Sequence, residues 1–205
     1  MTVTIASADL THAASQRAAL ERFIAERFRQ AYGAQVSHFC AHLLGLRDAA
    51  GAWQAAAGYT PAASGALYLE HYLDRPVEAV LSAAMGERVA RERIVEVGNL
   101  ASAARGFGGR FLPALRRTLV DLGYVWAVFT ATREVRGILE HFAFDARVLA
   151  PAAPGALPDG GIGWGTYYAH EPRAAEARLP TSTTRSRGTR SPTAADSTTS
   201  TGRSR

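Results

Sequence analysis

Residues 94–102 read Ile-Val-Glu-Val-Gly-Asn-Leu-Ala-Ser and run into a glycine-rich turn, Arg105-Gly106-Phe107-Gly108-Gly109-Arg110. A strongly amphipathic stretch follows at once. Ile94, Val95, Val97 and Leu100 favour an extended chain, and Gly106, Gly108 and Gly109 let the backbone turn tightly. Phe111, Leu112, Leu115, Leu119 and Leu122 then recur at helical spacing until Gly123 stops the helix. Pro113 fits that helix on the expectation that it lies in the first turn. A helix behind such a turn aims unpaired N–H groups and its positive dipole end back at it, so the segment is expected to hold a phosphate. An ordinary flexible connection is the plainer alternative.

Around this block the chain alternates between helical and extended patterns. Thr11 can cap a helix running to Tyr32, with Leu20, Phe23, Ile24, Phe28 and Tyr32 on one face and Gly33 as its stop. Residues 39–47 and 52–59 read as a hairpin about the turn Asp48-Ala49-Ala50-Gly51. Asp74-Arg75-Pro76 opens a second helix to about Arg88, with Asp74 as cap. Strands are expected over 93–101, over the nearly all-apolar 124–130, and over 144–149 and 163–168, with a short helix at 133–142. The pattern predicts an α/β (α+β) domain: a mixed, mostly antiparallel sheet flanked by helices, with one right-handed crossover.

At 205 residues the chain has room for one domain with a sizeable core. The net charge of +5 suggests a nucleic-acid partner until its distribution is read. Residues 1–172 hold 16 Arg and 16 acidic residues, whereas residues 173–205 hold 7 Arg and 2 acids. The expected folded body, residues 1–172, is therefore neutral and no nucleic-acid partner is expected. Residues 173–205 are expected to form a disordered tail, since from Thr181 onward there is no aromatic residue and no Leu, Ile, Val or Met. A solvated tail, an arm for anionic membranes or nucleic acid, and a reading-frame slip after Pro172 all fit that composition. Every cation is Arg, which excludes a lysine Schiff base and a phosphate-loop lysine. Cys40 is the only cysteine, so no disulfide or Cys-x-x-Cys pair exists. Residues 1–10 carry no basic, apolar leader pattern and no apolar run approaches spanning length, so a cytoplasmic location is expected.

Three separated blocks carry a family resemblance: residues 94–102 (IVEVGNLAS), residues 124–132 (YVWAVFTAT) and residues 67–78 (LYLEHYLDRPVE). Together they resemble the thermostable hemolysin family over about residues 21–172, and the resemblance implies the fold of the acyl-CoA N-acyltransferase (GNAT) superfamily. It implies no permanently bound cofactor, with acyl-CoA or an acyl carrier protein thioester as co-substrate and an unidentified small-molecule acceptor. In that superfamily the turn after the fourth strand reads Arg/Gln-x-x-Gly-x-Gly/Ala and its amides hold the pyrophosphate of coenzyme A. Arg105, Gly108 and Arg110 occupy those positions here, so the last small residue has become Arg110. Gly106 and Gly109 allow a shifted loop, and Leu100 and Ala101 lead into it. The strand of Glu96 carries the general base in many superfamily members. Glu96 also fits that role chemically, because a carboxyl flanked by Val95 and Val97 can have a raised pKa. Glu96 facing solvent opposite the two valines, or paired with Arg93 or Arg136, are the alternatives.

Asn99, Ser102, Thr130 and Thr132 are candidates for hydrogen bonds to substrate. On a strand Tyr68, Glu70 and Tyr72 share a face that would line an acceptor cleft; an amphipathic strand leading into a capped helix is the structural alternative. The superfamily's tyrosine acid aligns with Leu139, so the proton donor is unassigned; His141 lies two residues on. His38, Cys40 and His42 alternate and would share a strand face, yet short side chains at that spacing do not converge on one ion, and no metal is expected. Three functions stay open: an acyltransferase using an amine or hydroxyl acceptor, a membrane-active cytolysin as the family name implies, and a non-catalytic acyl-CoA-binding protein. For the cytolysin, the helix over Thr11–Tyr32 is the only segment suited to a membrane surface.

Overall fold

The hydrophobic pattern over residues 94–97 and 126–129 builds the centre of the molecule, a parallel pair of strands packed on both faces. The structure is a computed structural model that describes residues 2–6, 11–103, 108–142 and 144–179, with the backbone alone at 2–6, 11–14 and 108–110. In chain order the elements are β1 (Thr2–Ala6), α1 (Thr11–Tyr32), β2 (His42–Arg47), β3 (Trp53–Pro61), α2 (Val77–Met85), β4 (Ile94–Ser102), α3 (Gly108–Asp121), β5 (Trp126–Ala131), α4 (Arg133–His141), β6 (Ala146–Pro151) and β7 (Arg173–Arg178). The seven strands lie in the order β1-β2-β3-β4-β5-β7-β6. Only β4 and β5 run parallel. α3 is the crossover between them, as a parallel pair requires.

Alternation along β4 splits the core in two. Val95 faces α3 and α4, packing with Phe111, Leu115, Leu119 and Leu139. Ile94 faces the opposite layer, where Leu69, Val77 and Leu81 cover Trp126 and Val128. α1 covers the same layer farther along the sheet, its Leu20, Ile24 and Phe28 packing on Leu43, Ala56 and Ala101. The apolar stripe of α1 is therefore consumed by the core. The β2–β3 hairpin forms as expected, because Asp48 Oδ1 accepts from the amides of Ala50 and Ala52 at 2.9 and 3.0 Å and closes the turn.

Several expectations change. Residues 67–78 are not a strand: Tyr68–Tyr72 is a 3₁₀ turn, and α2 starts only at Val77. Asp74 does not cap α2; Glu70 Oε1 accepts from Val77 N at 2.8 Å instead. Pro113 lies past the first turn of α3, at a cost of one backbone hydrogen bond. Residues 163–168 form turns and the start of a 3₁₀ segment, Tyr167–His170, since Gly163 and Gly165 both take positive φ. The last strand is β7, so the body extends through residues that the expected 172/173 boundary assigned to the tail. β7 escapes a pattern-based reading because β5 and β6 flank its edges and both its faces are packed, Ala175 and Ala177 in one core layer and Ala174 in the other, so small alanines fill it without alternation. From residue 180 onward the expected tail lies outside the described residues. Among the described residues, no helix is long and apolar enough to cross a membrane.

Candidate active site

β4 and β5 pair from Ile94↔Trp126 to Val97↔Phe129 and then part. Beyond that point β4 pairs only with β3, and β5 only with β7. The cause is a bulge: between Gly98↔Gly58 and Ala101↔Ala56, β4 spends Asn99 and Leu100 where β3 has Ala57 alone. The extra residue bends β4 away from its parallel neighbour. Asn99 takes the left-handed φ of 53° that the bulge needs. Its side chain secures the bend, with Oδ1 accepting from Cys40 N at 2.8 Å and Nδ2 donating to the carbonyl of His38 at 3.2 Å. The fork leaves facing backbone edges at Gly98–Leu100 and Thr130–Ala131 without ladder partners.

A cavity occupies the fork and reaches both layers. On the α3 side Leu112, Leu115, Phe129, Val135 and Leu139 line it. On the α1 side the lining is aromatic, with Phe28, Tyr32, Tyr68, Tyr72, Trp164 and Tyr167. Trp164 and Tyr167 belong to the long β6–β7 connection, which is pinned to the end of α1: Gln35 N donates to Gly163 O at 2.7 Å, and Thr166 N to Tyr32 O at 2.8 Å. Gly165 is obligatory there. Its φ is +54° and a Cβ would stand 2.1 Å from Tyr32 O.

Glu96 sits at the junction of the two halves, 6% exposed. Both sequence alternatives for it fail: it faces the α1/α2 layer without reaching solvent, and it pairs with neither Arg93 nor Arg136. Its Oε2 accepts from Tyr68 N at 2.8 Å and its Oε1 from Leu69 N at 2.9 Å. Burial pushes its pKa up to about 7; the two amide hydrogen bonds pull it back only in part, and the Glu70 carboxylate adds a smaller upward push. A carboxyl poised there can take a proton near neutral pH. Burial also raises the Tyr68 phenol to about 12 and the Cys40 thiol to about 12, so neither ionises readily. The Tyr72 hydroxyl is hydrogen-bonded to that of Tyr168 at 2.8 Å.

The expected site residues divide. Tyr68, Glu96, Asn99, Leu100, Thr130 and Thr132 line the cavity. Among the described residues the Thr130 hydroxyl is buried without a hydrogen-bond partner. Glu70 does not line it: Arg91 holds this carboxylate at 2.8 Å, and its pKa falls to about 2 against the upward push of burial, through bonds from Arg91, Val77 N and Leu67 N. Glu70 thus organises the turn that presents Tyr68. Ala101 packs under α1, and the Ser102 hydroxyl lies 3.5 Å from the carbonyl of Gln54; neither lines the cavity. Arg105 and Gly106 lie outside the described residues, while Gly108, Gly109 and Arg110 form the first turn of α3. Leu139 lines the cavity, and His141 stacks edge-on against Phe142 outside it. His38 and Cys40 line the cavity, but residues 38–40 are not a strand, and His42 stacks on Tyr59 instead. Among the described residues no three metal-binding side chains cluster.

Sequence reasoning missed Trp164 and Tyr167 altogether. Four glycines at 160, 161, 163 and 165 were the available signal, since such density argues against a strand and for a close-fitting loop.

The model of the thermostable hemolysin family matches residues 10–183, and the chain belongs to that family. Among solved structures, the AHL synthase LasI matches with a TM-score of 0.59 at 15% identity, over 87% of this chain and 90% of that one. FeeM, an N-acyl amino acid synthase from uncultured soil microbes, matches with 0.56 at 13% identity, over 88% and 96%. An acyl-CoA N-acyltransferase from Pseudomonas aeruginosa matches with 0.52 at 17% identity, over 87% and 99%. At such identities these likenesses establish the fold, that of the acyl-CoA N-acyltransferases. A comparison with curated proteins returns no match.

Proposed function

We propose that this member of the thermostable hemolysin family is an acyltransferase, moving an acyl group from an acyl-CoA or acyl carrier protein thioester to an amine or hydroxyl acceptor. The observation that carries the reading is the fork. Two strands part over a cavity that joins an apolar half to an aromatic half, and a carboxyl with a pKa near 7 lies where they meet. The amide-bearing arm of the donor pairs with the open edges at Gly98–Leu100 and Thr130–Ala131, and the acyl chain lies among Leu112, Leu115 and Leu139. The donor phosphates rest at the start of α3, with Arg105 and Arg110 as cations and Gly106, Gly108 and Gly109 leaving the amides approachable. Glu96 takes the proton of the attacking amine or hydroxyl as it adds to the thioester carbonyl. Asn99 holds the bend that opens the fork.

Direct lysis of membranes is the weaker reading, because Leu20, Ile24 and Phe28 of α1 are already buried. The test is release of free thiol from a series of acyl-CoA donors by the full chain, with a panel of amines and alcohols. Turnover should fall by about 100-fold or more in Glu96→Gln. Donor binding, read by calorimetry, should be lost on charge reversal at Arg105 and Arg110. If no acyl-CoA or acyl carrier protein thioester binds, the proposal fails.

A further inference from the structure

The acceptor half of the cavity has a composition that narrows what it can take. Its rings form a nearly continuous wall: His38 stacks on Tyr68 at 5.0 Å, Tyr68 lies 6.3 Å from Trp164, Trp164 lies 5.0 Å from Tyr167, and Tyr167 meets Tyr32 edge-on at 5.2 Å. Ring faces are the negative part of an aromatic quadrupole. Glu96 at the base is the one acidic side chain among the described lining residues, and no Arg is among them. Two guanidinium groups do reach the backbone of lining residues, and both are spent there. Arg17 donates to the carbonyls of Cys40 and Ala41, and Arg136 to those of Ala131 and Glu171.

A ligand carboxylate or phosphate entering this half would give up its water, meet aromatic rings and a buried carboxyl, and find no guanidinium among the described lining residues to pair with. An ammonium group gains on both counts. Resting on the transferase reading above, we infer that the acceptor is a primary amine on an apolar or aromatic skeleton without an acidic group, of the arylalkylamine class, and that amino acids are excluded. The amine enters as its ammonium ion and gives one proton to the Glu96 carboxylate. Its lone pair then forms the N–C bond to the thioester carbonyl. The C–S bond breaks, and the leaving thiolate is protonated by the second proton lost from nitrogen. The products are an amide and a free thiol, and Glu96 returns its proton to solvent.

The experiment compares matched pairs that differ only by the carboxylate, phenethylamine with phenylalanine and tyramine with tyrosine. Each is assayed with the full chain for thiol release from acyl-CoA donors. In parallel, binding of phenethylamine and of its uncharged counterpart phenethyl alcohol is measured by calorimetry on wild type and on Trp164→Leu. The amines should exceed their amino acids in kcat/KM by at least about tenfold, and Trp164→Leu should weaken amine binding by about threefold to tenfold. Equal or better turnover of the amino acids, or equally tight binding of the alcohol, overturns the inference. The outcomes separate the two proposals. Amine binding that depends on Trp164 without any thiol release keeps the ligand class and removes the transferase. Thiol release confined to amino acids does the reverse.

Discussion

Replacing Glu96 with Gln tests the electrostatic reading of the site without any knowledge of substrate. The carboxyl titrates near 4.5 in the unfolded chain and near 7 in the folded one, because burial opposes its charge. Between those values the folded protein holds more protons than the unfolded one, so stability falls as pH rises. The favourable state is complete below 4.5 and lost once pH passes about 7. The full difference is about 3 kcal/mol, of which about 2.5 kcal/mol falls between pH 5 and pH 8. Gln keeps the shape and cannot ionise. Its amide meets the N–H of Tyr68 or Leu69 donor to donor, which adds a cost of about 1–2 kcal/mol that does not vary with pH. The diagnostic quantity is therefore the change of the mutant-minus-wild-type stability with pH. Urea denaturation at pH 5, 6, 7 and 8 should show that difference moving in favour of Glu96→Gln by about 2.5 kcal/mol, or roughly 5–10 °C in Tm for a chain of this size. Glu176, whose pKa burial also raises, is common to both proteins and cancels. Curves that stay parallel within about 0.5 kcal/mol would refute the buried-carboxyl argument, and with it the case for Glu96 as a base at neutral pH.

Asn99→Gly keeps the positive φ and loses only the two side-chain bonds, at about 1–2 kcal/mol, whereas Asn99→Ala adds about 1 kcal/mol for the left-handed backbone. Equal urea midpoints for the two would deny that the bulge conformation at 99 is stabilised by residue type. Gly165→Ala should unseat the β6–β7 connection from Tyr32, lowering Tm and weakening amine binding in calorimetry while donor affinity stays unchanged; intact amine binding would mean that this loop does not close the cavity. Arg91→Met removes the partner that holds the Glu70 carboxylate near 2 and should cost about 2–3 kcal/mol at pH 7. That cost should shrink as pH falls from 4.5 toward 2, because the stability that the depressed carboxyl contributes is lost through that window; a cost independent of pH would point to packing alone.

The parts of this fold that strong periodicity specifies were legible in the chain. The helix over Thr11–Tyr32, the hairpin, β4, α3, β5 and α4 all follow from apolar spacing and glycine stops, and the block 94–102 located the strand that carries Glu96. What was illegible depends on neighbours. β7 is a strand because β5 and β6 flank it, and nothing in Arg-Ala-Ala-Glu-Ala-Arg announces that. Tyr68 and Glu70 share a strand face in the sequence pattern but part in the fold, since the 3₁₀ turn sends Glu70 to Arg91 while the amide of Tyr68 goes to Glu96. Trp164 reaches the cavity only because the loop carrying it docks on the end of α1, more than 120 residues earlier in the chain.

These tertiary placements share a physical logic that ties the site to the fold. The carboxyl of Glu96 keeps its raised pKa only while water stays out, and the amides of Tyr68 and Leu69, which offset that rise in part, hold it in place. The turn that supplies those amides is held by Glu70 and Arg91 on its far side. The bend that opens the fork is held by Asn99 to residues 38–40, just beyond the end of α1 on which the aromatic loop docks. The amides that hold Glu96 and the open strand edges thus hang on two polar clamps, one through Arg91 and one through Asn99. If the two clamps are independent, the stability costs of Arg91→Met and Asn99→Ala add in the double variant. If they act through one shared site, the double variant loses less stability than the sum, since the first loss already loosens the fork, and that shortfall measures the coupling.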